Sequence, residues 1–264
     1  MDYLERNRNI SMKIMEELKK IPEVEGVMFL GGVARNFADV DSDIDLAVFS
    51  NEKLPNLSVG ENFDENNIDI EFWNIKLNES FEEWGQVQKE AYQEGIIVFD
   101  RNGKVKDYID KTLFYSDKTF LLEFGERFFH LAWHGLIYTP YRNKSIRGYH
   151  WILPSDLWYK RNNPENGFVI LQNCSMIFIE LLFVLNRRWI PDFKWIWIKS
   201  QKLSTLPNNY YEKMKFILFS EFNDENWDKK IMLFQELLDE TYEMFEQTGI
   251  LPNDLYSLVV HEYE

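Results

Sequence analysis

The chain has 264 residues, 45% apolar and 16% aromatic, with 44 acidic against 29 basic residues and a net charge of −15. That is enough apolar material for one large or two modest packed domains, and the net field repels nucleic acid unless a basic stripe offsets it. The basic residues are dispersed apart from Arg187-Arg188 and the run Lys199 to Lys202, so nucleic acid is not expected as a partner and a cationic small molecule suits the balance better.

In chain order, Leu4 to Lys20 has apolar positions at Ile10, Met12, Ile14, Met15 and Leu18, a helical spacing that Ile21-Pro22 ends. Val24 to Leu30 and Ile44 to Phe49 read as strands, and Asn51 to Glu65, polar with Pro55 and Gly60, as a connecting loop. Ile68-Asp69-Ile70-Glu71-Phe72-Trp73 alternates, which predicts a strand with one apolar and one acidic face. Glu79 to Glu94 predicts a helix, Gly95 to Phe99 a short strand and Asp100 to Gly103 a turn. From about Ser116 the pattern is helical: Thr119 to Leu136, an almost uniformly apolar stretch from Gly167 to Arg188, and an amphipathic one from Asn226 to Gln247 that stops before Gly249. The expected class is α+β, with a mixed-sheet domain over residues 1–112 and an all-helical domain over 113–264.

Other features bear on location. The single cysteine, Cys174, excludes an internal disulfide and fits a reducing compartment. The first eight residues lack the basic-then-apolar pattern of a secretory signal. The most apolar stretch, Cys174 to Leu185, is interrupted by Glu180 and too short to span a bilayer. A cytoplasmic protein with no membrane partner is expected.

The most informative segment runs from Phe29 to Phe49. A strand ends in Gly31-Gly32, a connector follows, and the next strand opens on Asp43 and Asp45. Residues i and i+2 share a strand face, so the two carboxylates converge and would repel one another unless a divalent cation lay between them. The glycine pair lets backbone approach a ligand where a Cβ would obstruct it. The acidic strand offers Asp69 and Glu71 as a third carboxylate, which would accept a proton from the attacking oxygen or orient it. Asp39, Asp41, Asp43 and Asp45 as a merely solvated acidic loop is the plainer alternative, and the strand–diglycine–strand context disfavours it.

At these residues Gly31-Gly32-Val33-Ala34-Arg35, followed by Ser42-Asp43-Ile44-Asp45-Leu46, resembles the signature of the nucleotidyltransferase superfamily that includes DNA polymerase β. Within it the chain most resembles antibiotic (aminoglycoside and lincosamide) nucleotidyltransferase-like proteins, which pair this domain with a helical one. The resemblance covers roughly the first 110 residues. It implies two Mg²⁺ ions held by three carboxylates and in-line transfer of a nucleoside monophosphate from a triphosphate to an acceptor hydroxyl, with pyrophosphate released. Gly31 and Gly32 would cradle phosphates, Arg35 would reach them, and Asp43, Asp45 and a third carboxylate, Glu71 in preference to Asp69, would hold metal. The chain departs from many relatives in having Gly32 where they have Ser and Asn36 where they have Gly.

Other residues were weighed beside these. His130 and His134 sit four apart on a predicted helix, but no third ligand accompanies them and packing or surface hydrogen bonding is the better reading. Arg187 and Lys194 flank the end of the apolar helix and would neutralise triphosphate charge if they faced the reacting groups; helix capping is the alternative. Tyr141, Arg142, Lys144 and Arg147 form a basic-aromatic loop read as solvated. The resulting expectation is AMP transfer from ATP to a hydroxyl of a small, cationic acceptor of the aminoglycoside kind, held between the two domains. Its rivals are nucleotidylation of a protein or tRNA, of the toxin–antitoxin type, and a non-catalytic nucleotide-binding module.

Overall fold

The computed structural model describes residues 2–52, 54, 68–79, 84–133 and 153–250. The chain divides into two compact units, residues 1–114 and 115–264. The fold is α+β, with a mixed sheet in the first unit and a helical second unit.

In the first unit, α1 (Tyr3–Leu18) starts on the Asp2 carboxylate, which accepts the Glu5 N–H at 3.1 Å. Ile10, Ile14, Met15 and Leu18 form its buried stripe, whereas Met12 falls on the outer face. Four strands follow among the described residues: β1 (Val24–Phe29), β2 (Ile44–Ser50), β3 (Ile70–Lys76) and β4 (Ile96–Asp100), in the order β3-β2-β1-β4. β1 runs antiparallel to β2 and to β4, while β2 and β3 are parallel. A one-turn helix, α2 (Gly31–Ala34), joins β1 to the β2 approach. On one face Ile44, Leu46 and Val48 pack with Ile70 and Phe72 under α1. On the other, Ala47 and Phe49 meet Tyr92 of α3 (Gln86–Glu94) and Val105 and Tyr108 of α4 (Lys104–Thr112).

Three boundaries differ from the sequence expectation. β3 begins two residues later, at Ile70, although Ile68 is buried as the alternation predicts. α3 begins at Gln86 because Gly85 takes an extended conformation. The turn at 101–103 leads into α4, which the sequence reading passed over; the Asp100 carboxylate accepts the N–H groups of Val105 and Lys106 and so starts that helix.

The second unit comprises α5 (Asp117–Trp133), α6 (Pro154–Lys160), α7 (Pro164–Leu185), α8 (Phe193–Ser200), α9 (Tyr210–Phe219) and α10 (Asp224–Gln247). α7 begins three residues before Gly167, with Pro164 in its first turn and Asn163 accepting the Asn166 N–H at 3.2 Å. It ends at Leu185, where Asn186 turns its amide back to the Leu182 carbonyl at 2.8 Å and Arg187 takes a positive φ. The apolar stretch Cys174 to Leu185 is the second half of α7, which at 22 residues is long and apolar enough to cross a membrane by length and composition alone. Here its side chains, Leu171, Phe178 and Leu182 among them, are buried against α5, α9 and α10, as in the core helix of a folded domain. Glu180, the interruption in that stretch, faces Arg127 of α5 at 3.3 Å.

A further buried charge lies in α10. Lys230 is fully buried, and its ammonium donates to the carbonyls of Phe216, Ile217 and Ser220 at 3.2, 2.8 and 3.0 Å. These are acceptors at the C-terminal end of α9, where the helix dipole favours a cation.

Candidate active site

The connector between β1 and β2 is shaped by backbone before any side chain enters. Leu30 continues the ladder, its N–H donating to the Asp45 carbonyl at 3.0 Å. Gly31 takes φ +52°, and a Cβ built there would lie 1.9 Å from Oδ2 of Asp45. The glycine therefore makes room for the carboxylate itself. A Cβ at Gly32 would lie 2.6 Å from the Phe37 carbonyl oxygen, so a serine at 32 would require backbone to move. Asn36 takes φ +59°. This left-handed conformation suits glycine best and asparagine next, so Asn36 meets the same backbone demand that a glycine would. Further along, Ser42 donates to Asp39 Oδ1 at 2.9 Å and accepts the Asp39 N–H at 2.9 Å, which makes Asp39 a turn residue.

Asp43 is exposed just before β2, and Asp45 is half-buried within it. Glu71 is the register partner of Asp45 across the parallel β2–β3 pair. Side chains of paired residues share a face, so Glu71 stands beside Asp45. Asp69 lies earlier, exposed, with its carbonyl accepting the Ile44 N–H at 2.9 Å. Burial pushes the Asp45 carboxyl above the usual aspartate range, and the charges of Asp43 and Glu71 push it further; a hydrogen bond from Trp73 and the charge of Arg35 act the other way.

The sequence predicts three converging carboxylates. The structure sets Asp43, Asp45 and Glu71 side by side, but among the described residues no group of three or more His, Cys, Asp or Glu is gathered closely enough to hold a metal ion. Asp43 and Glu71 are exposed. The donor chemistry, carboxylate oxygens alone, suits a hard divalent cation such as Mg²⁺ and does not suit a soft one.

Two of the three expected phosphate-facing cations, Arg35 and Arg187, are engaged elsewhere in the fold. Arg35 bridges to Glu90 at 3.2 Å and to Glu94 at 2.9 Å, both on α3, with its side chain largely buried. Arg187 pairs with Asp117, donates to the Tyr115 carbonyl at 3.3 Å and lies over the Phe120 ring, holding the end of α7 to the start of α5. Lys194 is exposed in the first turn of α8, its backbone N–H capped by Asp192. His130 is exposed on α5, while His134 and the loop carrying Tyr141, Arg142, Lys144 and Arg147 fall outside the described residues. The residue that sequence reasoning missed is Trp73. Its signal was the alternation itself: two positions after Glu71, it shares the acidic face.

Residues 12–104 match the family model described as Polymerase beta, Nucleotidyltransferase. The match falls within the first unit and supports the superfamily that the Gly31–Leu46 segment resembles. Among solved structures, the chain is similar to a nucleotidyltransferase-like protein from Exiguobacterium sibiricum, at 12% identity over 97% of this chain and 80% of that one, with a TM-score of 0.46. It is similar also to a toxin–antitoxin solved with AMP-PNP, at 16% identity over 40% of this chain and 82% of that one, with a TM-score of 0.31. A toxin–antitoxin MntA-HpeT mutant gives 16% identity over the same shares and a TM-score of 0.30. Likenesses this loose carry no argument about activity. Comparison with curated proteins found no match.

Proposed function

We propose that the chain is a Mg²⁺-dependent nucleotidyltransferase that moves a nucleoside monophosphate, most simply AMP from ATP, onto a hydroxyl of a small molecule. The observation that carries this reading is the Asp43–Asp45–Glu71 group set against Gly31 at the end of β1, with the Asp45 pKa raised first by burial and then by the charges of Asp43 and Glu71. Such an excess of negative charge is relieved by divalent cations, and a metal bound there would supply charge neutralisation for a triphosphate. Asp43, Asp45 and Glu71 are the residues that would hold it, with Asp69 the substitute for Glu71.

The remaining roles follow from position. Gly31 and Gly32 present backbone without side chains to the phosphates. Arg35, shared with Glu90 and Glu94, braces α2 against α3 and adds positive potential at Asp45. Lys194, exposed at the start of α8, is a proposed cation for the triphosphate. The net charge of −15 favours a cationic, polyhydroxylated acceptor of the aminoglycoside kind, and the buried Cys174 thiol suits a reducing cytoplasm.

The test is pyrophosphate release from each nucleoside triphosphate with a panel of aminoglycosides and lincosamides, followed by mass spectrometry of the acceptors. Mg²⁺-dependent release that falls by about a thousandfold or more in Asp45→Asn is expected, the scale on which loss of an essential catalytic group acts. Release that does not depend on Mg²⁺ sinks the metal site. Label found on protein or tRNA in place of the small molecule sinks the acceptor class.

A further inference from the structure

A pocket of about 270 Å³ opens in the first unit on the sheet face that carries Asp45 and Glu71. Its wall nearest the carboxylates is Trp73, the register partner of Ala47, whose indole is also hydrogen-bonded to Asp45. Trp84 and Tyr108 complete the aromatic lining. Trp84 is fixed against Tyr92, with ring centroids 4.5 Å apart, and edge-on to Tyr108 at 6.1 Å. Asn74 and Gln88 also line it; strand alternation turns the Asn74 side chain to the other face from Trp73, which leaves Gln88 of α3 as the amide on the Trp73 side. The charged residues lining the pocket, Lys76 and Glu79, are paired with each other, so the lining carries no net charge.

These features select a ligand class. Rigid aromatic walls favour a flat ring that stacks or meets them edge-on. Amides with both donors and acceptors recognise a ring whose edge carries both, as Asn and Gln do with adenine. A neutral lining disfavours a triphosphate and a polycation alike, since neither finds an unpaired counter-charge. The volume lies below the roughly 300–1,000 Å³ of pockets that take whole drug-sized ligands, which leaves room for one ring system. We propose that this pocket binds a neutral, flat nitrogen heterocycle of the nucleobase type, and that Trp73 ties its occupancy to the position of Asp45. The inference uses the proposed function only for calling Asp45 the reaction centre; ring binding stands apart from it.

The experiment uses the full chain, free of metal, titrated calorimetrically with adenosine, guanosine, cytidine and uridine, which carry the ring without phosphate. Binding of at least one nucleoside is expected, weakened about tenfold or more in Trp73→Ala and much less in Trp73→Phe, which keeps a stacking face. Gln88→Ala is expected to reduce the preference among the four bases. Should Trp73→Ala melt early, Gln88→Ala and Trp73→Phe decide the matter. No binding of any nucleoside up to about 10 mM, or binding that ignores both Trp73→Ala and Gln88→Ala, overturns the proposal. Competition between the nucleoside and its own triphosphate assigns the pocket to the donor base, and simultaneous binding assigns it to a ring on the acceptor; either supports the site. Nucleotidyl transfer that fails while nucleosides bind removes the proposed function and leaves the pocket, and the converse removes only the pocket.

Discussion

Asp45 in the mixed-sheet unit and Lys230 in the helical unit are both charges drawn partly or wholly out of water, and the fold treats them in opposite ways. Lys230 lies at the end of α9 with three carbonyl acceptors, so its donors are all hydrogen-bonded and the helix dipole favours the cation, although burial still pushes its ammonium pKa below the usual lysine range. Asp45 is placed beside two more carboxylates, and its nearest helpers are one indole N–H and an arginine already shared with Glu90 and Glu94. An interaction retained for packing is expected to be satisfied within the chain. A charge left in conflict by burial and by its own neighbours points to something outside the chain that resolves it, which is the reason the proposed function puts its ligand at the β1–β2–β3 end of the first unit.

The largest expected effect is at Lys230, because three carbonyls depend on its ammonium for a donor. Lys230→Met keeps the volume and removes the donor, leaving the carbonyls of Phe216, Ile217 and Ser220 uncapped. The loss is expected to be about 2 kcal/mol in urea unfolding, the uncapped acceptors outweighing the relief of burying no charge. An unchanged midpoint would mean that Lys230 is as strained as Asp45 and would dissolve the contrast.

Asp45 is expected to respond in the other direction. A carboxyl whose folded pKa is raised contributes stability below its unfolded value, ordinarily 3.8, and loses it as pH rises through the folded value. At neutral pH the ionised group therefore costs stability. Asp45→Asn should melt a few degrees higher than the parent at pH 7, with the advantage vanishing toward pH 3. Mg²⁺ should raise the melting temperature of the parent and not that of the variant. A variant that melts lower at neutral pH would place Asp45 among the satisfied charges.

How much of this was legible beforehand follows from how local each signal is. Asp43, Asp45 and the diglycine stand within 15 residues, and strand alternation alone puts the carboxylates on one face. That Glu71 rather than Asp69 stands opposite Asp45 is a matter of inter-strand register, set by packing of Ile44, Leu46, Ile70 and Phe72 across two strands far apart in sequence. The engagement of Arg35 with α3 and of Arg187 with α5 depends on contacts about 55 and 70 residues away, beyond the reach of any motif. Short helices such as α8, with its three aromatic residues, and α9 were passed over because their propensity is ordinary and tertiary burial of Ile196, Met214 and Ile217 holds them.

The smallest effects are expected from the pair of cations that the sequence set side by side. Arg187 and Lys194 are seven residues apart, yet one is tied to Asp117 and the Tyr115 carbonyl while the other is exposed on a helix start. Arg187→Ala should cost stability by about 0.5 kcal/mol, as exposed ion pairs do, and leave the KM for the triphosphate alone. Lys194→Ala should leave the melting temperature alone and raise that KM severalfold, since a single solvated charge adds modestly to phosphate binding. The reverse outcome would mean that the Arg187–Asp117 bridge opens when nucleotide binds. The arginine would then belong with Asp45 among the charges the fold leaves for a ligand to answer.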